Sequence, residues 1–168
     1  MSVDPESLKR TMRTWASGIG IATTLLGDHR AGVTVSSFTS VSVEPPLILI
    51  SLQHYIETFK LIQESGVFAV SLLREDQAHL SAQFAGFLPV PEGEDRFYNV
   101  ELMTAETGVP ILANALAWMD CRVSVIYEAG ISRIVVGEVL ATGQQENMLP
   151  VVYHNRGYYS IRGAQIES

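Results

Sequence analysis

The spacing of hydrophobic positions changes character early in the chain. Leu8, Met12 and Trp15 recur at near-helical intervals, which predicts an amphipathic helix laid on a core. Asp4 is placed to cap that helix, Pro5 suits its first position and Glu6 favours the positive end of its dipole. The helix is expected to end near Ser17-Gly18. From Ile19 the pattern turns to strands: Ile19 to Leu26 is β-rich, Gly27-Asp28-His29-Arg30 reads as a turn, and Ala31 to Ser42 could pair back as a strand. Leu47 to Leu52 is apolar on consecutive positions, which predicts a central strand buried on both faces.

Glu57 to Glu64 reads as a short helix with Phe59, Leu61 and Ile62 inward, stopped by Ser65-Gly66, and Val67 to Leu73 as a strand. Glu75 to Phe84 is expected to be a helix ending at Gly86. The stretch from Phe87 to Asn99 carries Pro89, Pro91 and Gly93 and predicts an irregular surface loop. Ile111 to Tyr127, Ser132 to Thr142 and Val151 to Ile161 supply the remaining strands, with a turn at Glu128-Ala129-Gly130. Strands outnumber helices and do not alternate with them, so a mainly β, closed or nearly closed antiparallel barrel with peripheral helices is expected. No internal repeat or linker divides the chain, and residues 1–168 read as a single domain.

Composition narrows the function classes. Of 168 residues, 47 % are hydrophobic and 17 % charged, which fits globular folding. The net charge of −7 argues against nucleic acid or an anionic membrane surface as partner, because both reward clustered Lys and Arg. No apolar run approaches the ~20 residues of a membrane-spanning helix, and the N-terminus lacks a signal-peptide core. The single cysteine, Cys121, excludes an internal disulfide, fits a reducing cytoplasm and reads as a buried structural thiol. His29, His54, His79 and His154 lack metal-ligand spacing, and no Gly-x-Ser-x-Gly, GxGxxG or Walker loop occurs. Neither a metal ligand nor a catalytic side chain is assigned.

One segment stands apart. Gly32 to Pro46 reads GVTVSSFTSVSVEPP and places several small hydroxyl side chains beside β-branched residues. A half-exposed strand with a Ser/Thr outer face explains this. So does a cradle in which hydroxyls and N–H groups of Thr34, Ser36 and Ser37 meet a phosphate or a flat heteroaromatic ring.

The pattern G-x-T-x-S-S-F-x-S-x-S-x-x-P-P across Gly32 to Pro46 resembles the signature of the flavin reductase-like family. These are FMN-binding split barrels that serve as reductase components of two-component monooxygenases. The resemblance runs along nearly the whole chain, through Arg13 to Thr24, Gly66 to Leu73, Gln83-Phe84-Ala85, Asp95-Arg96-Phe97, Gly108 to Leu112, Ala117 to Cys121, Gly137-Glu138-Val139 and Pro150 to His154.

It implies an antiparallel Greek-key split β-barrel that binds FMN or FAD and oxidises NADH or NADPH, working as a cytoplasmic homodimer that supplies a monooxygenase. By the same resemblance Thr34, Val35, Ser36, Ser37 and Phe38 would line the flavin ring and ribityl chain, and Ser51 and Gln53 would face the flavin. Thr58 and Arg96 would hold its phosphate, Phe84 and Ala85 would contact the cofactor or partner subunit, and His154 and Tyr159 would border the nicotinamide.

Three places depart from the family pattern, the last being Arg156-Gly157-Tyr158-Tyr159, which keeps the family's glycine and tyrosine character but not its usual basic pattern. Ile56 stands where a serine is usual, with His54 as a substitute donor, and Ile131-Ser132 stands where Asp-His is usual. The second departure keeps open an alternative: a flavin-binding electron carrier without efficient NAD(P)H oxidation. A cofactor-free barrel module is the remaining class.

Overall fold

In the computed structural model, residues 2–162 are described. The chain runs α1 (Pro5–Met12), β1 (Ser17–Gly18), β2 (Gly20–Leu26), β3 (His29–Val35), β4 (Phe38–Ser42), β5 (Leu47–Gln53) and α2 (Glu57–Ser65). It continues through β6 (Val67–Leu72), a 3-10 turn over Glu75–Gln77, α3 (Ala78–Phe84), β7 (Leu102–Met103), β8 (Ile111–Leu112), the long pair β9 (Ala117–Ala129) and β10 (Ser132–Gln144), and the hairpin β11 (Val151–His154) and β12 (Gly157–Ser160).

Seven strands form one antiparallel sheet in the order β3-β2-β6-β9-β10-β5-β4. Its two outermost strands, β3 and β4, are neighbours in sequence and are separated only by Ser36 and Ser37. Two residues span at most about 7 Å, so the sheet must curl until its edges meet. The Ser51 N–H donates to the Ser37 carbonyl at 3.1 Å at that join. This seam is what makes the sheet a barrel, and it places β3 beside β5 at one end only.

The barrel interior holds Val35, Ile48, Ile50, Leu52, Phe59, Phe68, Val70 and Val135. A second cluster, with Ile19, Ile21, Leu73, Leu80, Phe84, Phe97 and Leu112, lies under α3 and the β1-β11-β12 sheet. β2 serves both. Ile21 and Ala22 are each fully buried, one in each cluster, because successive strand residues point to opposite faces. Its threonines are satisfied within the fold: Thr23 Oγ1 donates to the Pro110 carbonyl at 2.5 Å and Thr24 Oγ1 to that of Val67 at 2.7 Å.

The mainly β antiparallel architecture agrees with the expectation, and several elements differ in detail. The Ala31 to Ser42 strand breaks at the seam, Ile111 to Tyr127 divides into β8 and β9, and Val151 to Ile161 folds back as a hairpin. The Leu47 to Leu52 run is not buried on both faces. Ile48, Ile50 and Leu52 enter the core while Leu47, Leu49 and Ser51 are half-exposed, because the far face opens onto a cavity. α2 buries Thr58, Phe59 and Ile62 rather than Leu61.

α1 ends at Met12, short of Ser17, because the chain must extend to pair Ser17 with Tyr153 and Gly18 with Val152. Its expected core stripe is largely in the open: Leu8, Met12 and Trp15 are 52 %, 55 % and 67 % exposed.

Gly32 sits on β3 directly over the α3 core. A Cβ there would meet the Phe84 ring at 2.7 Å and the Phe97 ring at 3.2 Å, and both rings are buried. Gly32→Ala is therefore expected to destabilise the fold by about 1–3 kcal/mol through overpacking. Urea unfolding checks this, and an unchanged midpoint would show that the two rings can shift freely.

Candidate functional site

Two cavities open on either side of the seam. The first, of about 600 Å³, is lined by Ser36, Ser37 and Phe38 at the seam, by Leu49 and Ser51 of β5, and by Met12, Arg13, Trp15, Tyr153 and Arg156. The second, of about 630 Å³, is lined by Ala31, Gly32 and Val33 of β3, by Gln53, Ile56 and Thr58 around the start of α2, and by Ala85, Arg96 and Phe97. β5 is the element common to both, contributing Leu49 and Ser51 to the first and Gln53 to the second from a single face, while β3 lines the second alone.

Not every hydroxyl at the seam is available to a ligand. Thr34 Oγ1 donates to the Ser81 carbonyl at 2.6 Å and ties β3 to α3. Ser37 Oγ donates to the Ser51 carbonyl at 2.7 Å and reinforces the seam. Val35 is buried in the barrel. Ser36 is exposed, and Phe38 packs half-buried on the barrel core. Gln53 accepts from the Tyr55 hydroxyl at 2.5 Å.

The second cavity brings groups that can meet an anion beside the carboxylates of Glu57, Glu94 and Asp95. Ile56 is the N-cap of α2 and provides no side-chain acceptor, so the first N–H groups of that helix keep their positive end open. Thr58 is 4 % exposed, yet it lines the cavity and its hydroxyl makes no hydrogen bond among the described residues. Arg96 has no carboxylate partner among the described residues. Its Nη1 donates to the Phe84 carbonyl at 2.6 Å, at the end of α3, and the residue lines the cavity. Arg30 is neutralised by a two-bond pair with Asp95, 2.6 and 3.1 Å, and lies over the Phe97 ring. Burial pushes the Asp95 carboxyl up, but the bond to Arg30 and the Phe97 N–H outweigh it and leave it below its ordinary value.

Thr34 and Val35 line neither cavity, and three further predicted residues also lie elsewhere. Phe84 is wholly buried, edge-on to Phe97 with ring centres 5.0 Å apart, and lines neither cavity. Covered by Gly32, its ring is a core element. His154 and Tyr159 pair edge-on at 6.0 Å on the β11–β12 hairpin. His154 faces a third recess of about 300 Å³ with Arg10, Arg13, Thr14 and Asn155, and Tyr159 lines neither principal cavity. Conversely Met12, Arg13, Trp15, Tyr153 and Arg156 were not among the predicted residues. The helical spacing of Met12 and Trp15 assigned them to a core, which hid them; a tryptophan ahead of a Ser-Gly strand start was the available signal.

A sequence match to the family described as flavin reductase like domain covers residues 12–162. The chain belongs to this family. It is 35 % identical over 153 residues to the reductase component of a Thermus thermophilus 4-hydroxyphenylacetate 3-monooxygenase, covering 91 % of this chain and 94 % of that one. It is 34 % identical over 165 residues to an actinorhodin polyketide dimerase of Streptomyces coelicolor, covering 98 % and 90 % respectively. Among solved structures it superposes with a TM-score of 0.84 on the Streptomyces globisporus C-1027 NADH:FAD oxidoreductase SgcE6 in complex with NAD and FAD fragments. That match is at 28 % identity and covers 98 % of this chain and 97 % of that one.

Against the flavin reductase-like pattern, the first two departures have distinct settings. Ile56 removes the side-chain cap of α2 without disturbing the helix, which still runs from Glu57 to Ser65. His54 lines neither cavity; its Nδ1 lies 2.9 Å from the Ile131 carbonyl. Ser132 is half-buried and its Cα lies opposite that of Gln53. Among the described residues no cluster of three or more His, Cys, Asp or Glu could hold a metal ion, and no helix is long and apolar enough to cross a membrane.

Cys121 lies in the barrel core, where burial first and the neighbouring Asp120 carboxylate second push its thiol up to about 12. Asp120 itself is held by the Thr107 N–H at 2.8 Å and the Thr107 hydroxyl at 2.5 Å. At pH 8 the thiol is thus protonated and inaccessible. Alkylation by iodoacetamide is expected only once the protein is unfolded in denaturant. Labelling of the native protein at the denatured rate would contradict this placement.

Proposed function

We propose that this flavin reductase-like chain is an NAD(P)H:flavin oxidoreductase that reduces FMN or FAD and supplies the reduced flavin to a partner monooxygenase. The observation that carries the reading is the pair of cavities linked by β5, one holding Thr58, Arg96 and the open start of α2 and the other holding Phe38, Leu49, Trp15 and Tyr153. The donor set fits a flavin. The open start of α2, the Thr58 hydroxyl and the Arg96 guanidinium suit a phosphate, and Gln53, Ser51 and Ser36 lead from there to the seam, where Phe38 and Leu49 give an apolar bed.

The flavin supplies the two-electron chemistry when bound. The protein positions the flat faces and keeps water from them, a proximity effect that needs no nucleophile. Arg96 and Thr58 bind; Ser37 and Thr34 act indirectly, by fixing the seam and the position of β3. The similarity to the Thermus reductase component, and to an NADH:FAD oxidoreductase seen with fragments of both nucleotides, supports flavin and nicotinamide as ligands and a monooxygenase as the recipient. We also propose that the chain is one domain acting as a cytoplasmic homodimer; the exposed Val43 of the β4–β5 connection and Trp15 support a further interface. Analytical ultracentrifugation giving a monomer at working concentrations would remove that part.

A second reading, a flavin-binding electron carrier without efficient nicotinamide oxidation, is favoured by Ser132 at the position where a histidine is usual. The two separate in one assay. Consumption of NADH or NADPH that depends on added FMN or FAD supports the reductase. A flavin-binding protein inert to both nicotinamides supports the carrier. Thr58→Val removes one hydroxyl without changing side-chain volume and is expected to weaken flavin binding about tenfold, the worth of one bond to a charged group. Flavin fluorescence quenching measures this, and an unchanged affinity would place the phosphate elsewhere.

A further inference from the structure

Of the eleven Lys and Arg residues, six are paired with carboxylates: Lys9, Arg30, Arg74, Arg122, Arg133 and Arg162. Among the described residues this leaves Arg10, Arg13, Lys60, Arg96 and Arg156 without such a partner. Arg96 belongs to the anion site at α2. Three of the other four converge on one place, although α1 and the β11–β12 turn are far apart in sequence. Arg13 and Arg156 line the seam cavity, and Arg13 also lines the adjoining recess with Arg10 and His154. The two cavities therefore form one trough with Arg13 between them, and the Asn155 N–H, donating to the Arg13 carbonyl at 3.1 Å, fastens its two sides. Glu6 is the acid that faces this group. It is already bonded to Lys9, and its carboxyl is lowered by that bond first and by the charges of Arg13 and Arg156 after it. In a protein of net charge −7, uncompensated guanidinium groups brought together in this way mark an anion site.

The turn that carries Arg156 adds an independent observation. β11 and β12 are joined through Asn155 and Arg156 alone, with φ of +45° and +65°. A two-residue hairpin of this kind favours Asn followed by Gly, because both positions need the left-handed region. Here the second is arginine, and the glycine comes one residue later, at Gly157. A β-carbon held in that conformation costs stability, which points to a use for its side chain.

We propose that this trough binds the diphosphate of the nicotinamide dinucleotide, with Arg13 and Arg156 on the phosphate oxygens, Arg10 at the outer end, and Trp15 and Tyr153 walling the flat ring beside the seam. Paired guanidinium groups match a diphosphate in charge and geometry. The flavin phosphate is taken by the separate site at Thr58 and Arg96. The proposal rests on the reductase reading for its choice of dinucleotide, and the tests keep the two apart.

Arg156→Gly restores the residue the turn prefers. It is expected to keep or raise the thermal midpoint while raising KM for NADH or NADPH about tenfold, with flavin affinity unchanged; Arg13→Gln is expected to act in the same direction. Calorimetry with ADP-ribose, which carries the diphosphate and no redox ring, gives a readout free of turnover. The wild type binds it, added salt weakens it, both variants bind it about tenfold more weakly, and AMP competes poorly. Unchanged ADP-ribose affinity in both variants overturns the proposal, as does a loss of flavin affinity in parallel with it. A wild type that binds ADP-ribose without oxidising nicotinamide leaves the trough standing and removes the reductase reading. A wild type that binds no ADP-ribose overturns the trough.

Discussion

Ser36 and Ser37 are all that separate the two edges of the seven-stranded sheet, and the shortness of that connection governs the rest of the molecule. Strands that must meet within two residues cannot remain the rims of an open sheet. Closure follows, and with it the enclosed barrel core, because β3 is brought against the end of β5. The backbone bond from Ser51 to Ser37 and the side-chain bond from Ser37 back to the Ser51 carbonyl lock the join from both partners. One cavity lies at the join, against β5 and the end of α1, and the other lies between β3 and the start of α2. The same local fact therefore accounts for stability and for where a ligand can enter.

This explains how the hydroxyl-rich segment divides its labour. Thr34 and Ser37 donate to main-chain carbonyls and hold α3 and β5 in place. Ser36, Ser51 and Thr58 are left to face the cavities. The hydroxyls of Gly32 to Pro46 are thus divided, residue by residue, between holding the fold and facing a cavity. Charge is divided in a similar way: Arg30 is neutralised by Asp95, while its sequence-distant neighbour Arg96 donates to the end of α3 and has no carboxylate partner among the described residues.

Much of this was legible in the sequence because local rules act there. The α2 stop at Gly66, in the left-handed region with φ +72°, the positions of β2 and β6, and the irregular stretch after Gly86 all follow from residue type and period. What pairing decides was not legible. Nothing local to Ala31 to Ser42 says that the strand must leave one edge of the sheet and join the other between Val35 and Phe38. The consecutive apolar run of β5 looks doubly buried until the cavity on its far side is known. Met12 and Trp15 carry a helical spacing that normally signals a core, and only the extended chain at Ser17-Gly18, paired with β11, turns them outward. Phe84 lies in a motif that resembles the family's site, but its contribution is packing beneath Gly32.

β2 touches neither cavity, yet it dictates where both of them lie. It pairs with β3 from Leu26 opposite His29 to Gly20 opposite Val35, so the point at which Ser36 emerges is set by alignment along that ladder. A slip of one residue would reverse which side chains of β2 face the two hydrophobic clusters, sending Ile21 where Ala22 belongs. The double burial of this strand works as an indexing device. The site is kept in position by the cost of misfiling large and small residues in a strand that never meets a substrate.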